Sequence, residues 1–328
     1  MYLIYNMILE QNIKQSLFLG IKIAIVLVTF LYIYQKLIHE NTFSNVHTHI
    51  TFLVKNAQLR LEYIIFIPIL SLSNWFFEVL KWQSLVSEIK KITLLESLEQ
   101  SLGPLAASLF TPNRIGEYAA KPLYYHCENR LKAIFITVIN NALQMFITVV
   151  LGCIGLFYFI KTYHIYFNYK KGSLYVMSVT VVLIISWFVF QKIKPEMARF
   201  ITSYPKYKLY IGLQYALWRY TSFTLQFYLL LLLSDIDMTY HHAMMIITSY
   251  YLVSSIIPTI AIFDIFIKGG VALYLFSFAN IDSTIISSII VIMWILNFAI
   301  PSILGSYYVF SFKLNSINIE NQDVCQIK

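Results

Sequence analysis

Apolar residues run in long blocks along this chain, without the strict alternation of a half-buried strand. The blocks fall at about 17–37, 63–81, 132–160, 173–191, 209–233 and 284–311. They approach or exceed the ~20 residues that a helix needs to cross a bilayer core. Only helices satisfy every backbone group locally in lipid, so six full spans are predicted. Two further stretches are apolar but interrupted. Residues 92–127 contain "LLESLEQSLGPLAASLF" followed by "TPNRIGEYAAKPLYY". Residues 243–281 are broken by Pro258, Asp264, Lys268, Gly269 and Gly270.

Composition turns this pattern into a class. Of 328 residues, 59% are hydrophobic and 12% charged, against about 25% charged in a soluble protein. So few charges cannot coat a globule of this size, and the expectation is an all-α, polytopic membrane bundle forming one domain over 1–328. The N-terminus lacks a basic leader and a small-residue cleavage site, so residues 17–35 are expected as a retained first span. The net charge of +8 is assigned to the basic bias of cytoplasmic loops, and no nucleic-acid partner is expected.

Loop charges set an orientation. Residues 192–208 carry Lys192, Lys194, Arg199, Lys206 and Lys208 against Glu196, which places them inside. Residues 234–242 carry Asp235 and Asp237 with no Lys or Arg, which places them outside, as is the turn around Asp282. Counting back, 81–91 and 128–132 fall inside. The stretch 92–127 then begins and ends inside, and 243–281 begins and ends outside. Both are predicted to be re-entrant hairpins, entering from opposite faces. Each lies between two full spans, giving units 63–160 and 209–311 of opposite topology, the inverted-repeat layout of many transporters. The two breaks also share a spacing. Pro112 is followed by Glu117 and Lys121, and Pro258 by Asp264 and Lys268. An acid four residues before a lysine shares its helix face, so each hairpin is expected to carry an internal ion pair.

A charge placed deep in a bilayer is costly and is paired or faces a wet cavity. Arg114 follows Pro112 and Asn113 near the expected start of a short helix, where free N–H groups favour anions. A guanidinium binds phosphate through two parallel hydrogen bonds, and Gly116 permits close approach of a backbone or a headgroup. Arg114, Asn113 and Gly116 are therefore candidates for an anionic headgroup site; the competing reading is that Arg114 and Glu117 only pin the hairpin. Arg219 lies mid-span in "LQYALWRYTSF", too deep to snorkel. It needs an acid, a carbonyl or a ligand phosphate, and Glu78 and Asp264 are the acids to consider. Asn74 and Glu78, one turn apart, can face the same cavity. Asn140, Asn141, Gln144 and Asn297 read as interhelical hydrogen-bonding residues.

Other signals are weaker. Asp235 and Asp237 have the D-x-D spacing of a metal and nucleotide-sugar site, but read first as a short acidic loop. His47, His49, His241 and His242 read as solvated. The three cysteines are scattered, without a C-x-x-C pattern. Walker A, G-x-S-x-G and H-E-x-x-H motifs are absent. No metal, no cofactor and no catalytic residue is expected.

At "TPNRIGEYAAKPLYY" the chain resembles the lysylphosphatidylglycerol synthase transmembrane-region family of flippase-like integral membrane proteins. Arg114, Gly116 and Glu117 match its Arg-x-Gly-Glu element after a proline. "IIPTIAIFDIFIKGGVAL" is loosely similar to its second break, although "TIAIFD" lacks glycine. The resemblance covers roughly 17–311. It implies transbilayer handling of anionic lipids or lipid-linked precursors in the cytoplasmic membrane, with a possible partner enzyme beside it. Lysyl transfer in that family belongs to a soluble C-terminal domain, which is not expected after the tail at Phe312. The alternative expectation is a membrane-embedded glycosyltransferase or other lipid-modifying enzyme working through Asp235 and Asp237 or Glu117.

Overall fold

The computed structural model describes residues 61–109, 111, 114–165, 195–257 and 264–312. The expected spans 17–37 and 173–191 lie outside the described residues. So do Pro112, Asn113 and Pro258.

All regular structure among the described residues is helical. Helix α1 spans Leu61–Val86. It runs beyond the expected end at 81, so Lys81 lies inside the helix and is fully buried, not in a loop. Helix α2 spans Leu94–Ala107 and opens on a capping box. The Thr93 hydroxyl accepts from the Glu96 N–H, and the Glu96 carboxylate accepts from the Thr93 N–H at 2.7 Å, satisfying two otherwise orphaned donors. That backbone donor holds the Glu96 carboxyl below the usual glutamate range. After a break come the short α3, Ile115–Ala120, and a 3₁₀ turn, Lys121–Tyr124. Helix α4 is long, Cys127–Thr162.

Helix α5 spans Pro195–Ser203 and α6 spans Lys206–Leu233, starting directly after Pro205. The second break separates α7, Tyr240–Ile256, from α8, Asp264–Ser277. Helix α9, Ser283–Trp294, passes through a π-helical turn, Ile295–Ala299, into α10, Ile300–Ser311. Both stretches expected to be interrupted are thus helix–break–helix.

Among the described residues, three helical stretches are long and apolar enough to cross a membrane: Ile65–Val86, Cys127–Thr162 and Ser283–Ser311. Helix α6 has the length, but its polar residues keep its hydropathy below theirs. Beside an extensive apolar core, the described bundle exposes large apolar side chains and buries several charged ones. Leu72, Phe157, Leu304 and Tyr307 are exposed, while Asn74, Glu78, Lys81, Lys121, Asn140 and Gln226 are buried. Exposed apolar faces with buried charges fit an apolar solvent.

The helices pair in a reciprocal pattern. Helix α1 packs along α6. Helix α2, the first limb of the first hairpin, packs on α10 of the second half, and α7, the first limb of the second hairpin, packs on α4 of the first half. Glycines permit both exchanges. A Cβ at Gly305 on α10 would collide with the Leu102 carbonyl of α2. A Cβ at Gly155 on α4 would collide with the Thr248 hydroxyl of α7 and stand 3.0 Å from the Met245 carbonyl. Small residues let helix backbones approach this closely inside membranes.

Candidate functional site

Arg219 is the centre of a buried polar network. Its Nη1 donates to Glu78 Oε2 at 2.5 Å, and its Nε donates to Asn74 Oδ1 at 2.8 Å. Asn74 Nδ2 donates to Asn297 Oδ1 at 2.9 Å, and Asn297 Nδ2 donates to Gln226 Oε1 at 2.7 Å. On the other side, Asn140 Nδ2 donates to Glu78 Oε1 at 2.9 Å. The chain of bonds thus ties α4, α1, α6 and the π-helical turn together. Helical spacing explains the start of it. Asn74 and Glu78 stand one turn apart on α1, and both face α6.

Glu78 serves two cations. Lys81 Nζ lies 2.8 Å from the same Oε2 and is fully buried. Lys81 falls in the stretch 81–91 expected as a cytoplasmic loop, yet it lies within α1 and pairs with Glu78. The signal was present in its i, i+3 spacing from Glu78.

A cavity of about 210 Å³ opens beside this network. Arg114, Arg219 and Lys268 line it, together with Asn74 and Asn297. These residues come from the first hairpin, α6, α8, α1 and the π-helical turn. The remaining wall is apolar and aromatic, including Phe223, Tyr250, Tyr251, Trp294 and Phe298. Among the described side chains that line it, none is a carboxylate.

Arg114 reaches the cavity from an unusual backbone. Its φ of 56° lies in the left-handed region, which costs a non-glycine residue about 1–3 kcal/mol and persists only where the surroundings enforce it. Here its N–H donates to the Thr111 carbonyl at 3.3 Å, and its carbonyl accepts from the Glu117 N–H at 3.0 Å. The guanidinium sits 5.3 Å from the Phe298 ring centroid, and it forms no ion pair among the described residues. The six-residue α3 offers no anion cradle of its own. The Gly116 N–H already donates to Thr111 Oγ1 at 2.8 Å.

The other expected site residues lie elsewhere. Gly116 does not line the cavity. A Cβ there would meet Ser108 Cα at 3.0 Å and the Thr111 side chain at 3.1 Å, so its role is close approach of the hairpin to itself. Glu117 and Lys121 form an ion pair at 2.7 Å, with Lys121 Nζ 4.0 Å above the Trp82 ring. Trp82 in turn donates to Gln100 Oε1 at 2.9 Å, and Tyr125 also bonds Gln100. This cluster fastens the first hairpin to α1. Lys268 lies on α8, which begins at Asp264. Asp235 and Asp237 lie in the turn after α6 and do not line the cavity.

The π-helical turn was not legible in the sequence. Its widened backbone presents the Leu296 and Asn297 carbonyls to α1. They accept from Ser71 Oγ at 2.8 Å and Trp75 Nε1 at 3.2 Å. Such turns recur at functional sites. Four of the lining aromatics, Tyr250, Tyr251, Trp294 and Phe298, were likewise not singled out, because aromatic residues are dense throughout the chain.

Compared with models of protein families, with characterised proteins and with solved structures, the chain matches none.

Proposed function

We propose that this chain is a multi-pass integral membrane protein that handles anionic lipids or lipid-linked precursors across the cytoplasmic membrane in a flippase-like manner. One observation carries the reading. Cationic side chains from the first hairpin, α6 and α8 line a single cavity with two amides, inside a bundle whose outer faces are apolar. Arg114, which has no ion pair among the described residues, and Arg219, whose bonds to Glu78 and Asn74 leave three N–H groups over, favour an anion. A water occupies about 30 Å³ of liquid, so the cavity suits a headgroup and not a whole lipid.

The reciprocal packing of α2 on α10 and α7 on α4 supports two units of inverted topology, 63–160 and 209–311. In this reading the full spans number about six, with 17–37 and 173–191 among them. The hairpins enter from opposite faces and meet at the cavity, the first held by the Glu117–Lys121 pair; the expected pairing of Asp264 with Lys268 lies outside the described side chains. The resemblance of Arg114, Gly116 and Glu117 to the lysylphosphatidylglycerol synthase transmembrane region points the same way. Movement would be downhill, ion-coupled or driven by a partner in the membrane.

Proteoliposomes test the proposal. Wild-type protein should move labelled anionic phospholipid between leaflets faster than neutral phospholipid. Arg114→Ala should reduce that movement at least tenfold while the protein stays folded. Unchanged movement in folded Arg114→Ala would sink the assignment. Turnover that requires a sugar donor and is lost in an Asp235/Asp237 double variant would replace it with a lipid-modifying enzyme.

A further inference from the structure

We propose that the cavity selects a terminal phosphate, a phosphomonoester headgroup carrying close to two negative charges, over a phosphodiester. This rests on the anionic-headgroup reading above and names the substrate class of that same site.

The first argument is charge. Glu78, Lys81 and Arg219 form one cluster with a formal charge of one positive. Arg114 adds a second. Glu117 and Lys121 cancel each other in their ion pair. The count excludes Lys268, whose helix α8 also carries Asp264. The surplus is two positive charges beside a largely buried network, where low dielectric makes an unmatched charge expensive. A phosphodiester carries one negative charge and leaves one of the two unmatched. A phosphomonoester carries about −1.5 to −2 near neutral pH and has three strong acceptor oxygens.

The second argument is donor geometry. A guanidinium has five N–H donors, and Arg219 spends one on Glu78 and one on Asn74. Three remain for a ligand, and the Arg219 side chain is 18% exposed. Asn74 and Glu78 fix the plane of that fork before a ligand arrives. Arg114 brings a second fork from another element. A terminal phosphate offers these two forks three unesterified oxygens, and a doubly esterified one only two. Phe223 and Met293 in the wall suit the first methylenes of the lipid stem.

A minimal pair tests this. Full-length protein in detergent would be titrated with phosphatidic acid, phosphatidylmethanol and phosphatidylcholine of identical acyl chains. The first two differ by one O-methyl group. Phosphatidic acid should bind about tenfold or more tighter than phosphatidylmethanol, the worth of one charge-assisted hydrogen bond. Equal or tighter binding of phosphatidylmethanol would overturn the proposal and leave the anionic-headgroup reading standing. Binding of neither above phosphatidylcholine would overturn both. Arg114→Gln should shrink the ratio between the pair, and a ratio unchanged in folded variant would place the selectivity elsewhere. Should that variant fail to fold, the wild-type ratio still decides. Inorganic phosphate separates the sources. Weak competition fits a lipid-borne phosphate, whereas competition as strong as that of phosphatidic acid would overturn the lipid as the ligand.

Discussion

Glu78 holds a fully buried lysine and a largely buried arginine with one carboxylate, and its removal tests that arrangement directly. Breaking a buried pair by deleting one partner costs about 3–5 kcal/mol, because the other charge is left uncompensated. Glu78→Gln should therefore lower thermal stability sharply in detergent. Adding Lys81→Met should recover part of the loss, since one stranded cation is gone; strictly additive losses in the double variant would show that the two do not share the charge. Some of this was readable in advance. An arginine in mid-span demands a partner, and Glu78 was one of two acids weighed for it. Lys81 was hidden by its position, because a lysine near the end of an apolar run reads as a loop charge until the helix is seen to continue to Val86. The left-handed backbone of Arg114 had no signal either, as nothing in a single arginine marks a positive φ.

The hairpin breaks stood out because proline, glycine and charge interrupt otherwise continuous apolar runs. Which helices those limbs touch was not readable, since pairing depends on small residues meeting across the bundle. Gly305 and Gly155 are those residues in the two exchanges. A leucine at Gly305 has to displace the Leu102 backbone, and overpacking of this kind costs at least about 1–3 kcal/mol. Gly305→Leu should weaken the α2–α10 pairing and raise amide exchange in both helices, leaving α7 protected. Uniform loss of protection, or none, would speak against the two exchanges as separate contacts. The π-helical turn escaped the sequence reading for a different reason. A π turn adds one residue to a turn without changing the apolar pattern, so "MWILNFAIPS" looks like any other span.

The described bundle is apolar on its outer faces and encloses a polar network within an apolar core, and the composition already implied the apolar exterior. The sequence could not show that the two broken segments meet around one cavity, because that requires the helices to be placed in space. Inverted units predict opposite exposure for two sites. Lys91, before α2, should lie on the cytoplasmic side, and Ser283, at the start of α9, on the outer side. Both residues are solvent-exposed. In a background with the exposed Cys153 replaced, a membrane-impermeant thiol reagent added outside intact cells should label Ser283→Cys and spare Lys91→Cys. Labelling of both from one side would dismantle the inverted arrangement.

The central claim is that Arg114 and Arg219 together hold the headgroup of an anionic lipid. A structure of the protein in nanodiscs containing phosphatidic acid tests it most directly. The account predicts phosphate density between the two guanidinium groups, with oxygens at charge-assisted hydrogen-bond distances of about 2.7–2.9 Å. Bound lipid whose phosphate lies outside this cavity, with Arg114 and Arg219 unchanged and facing an empty space, would contradict it.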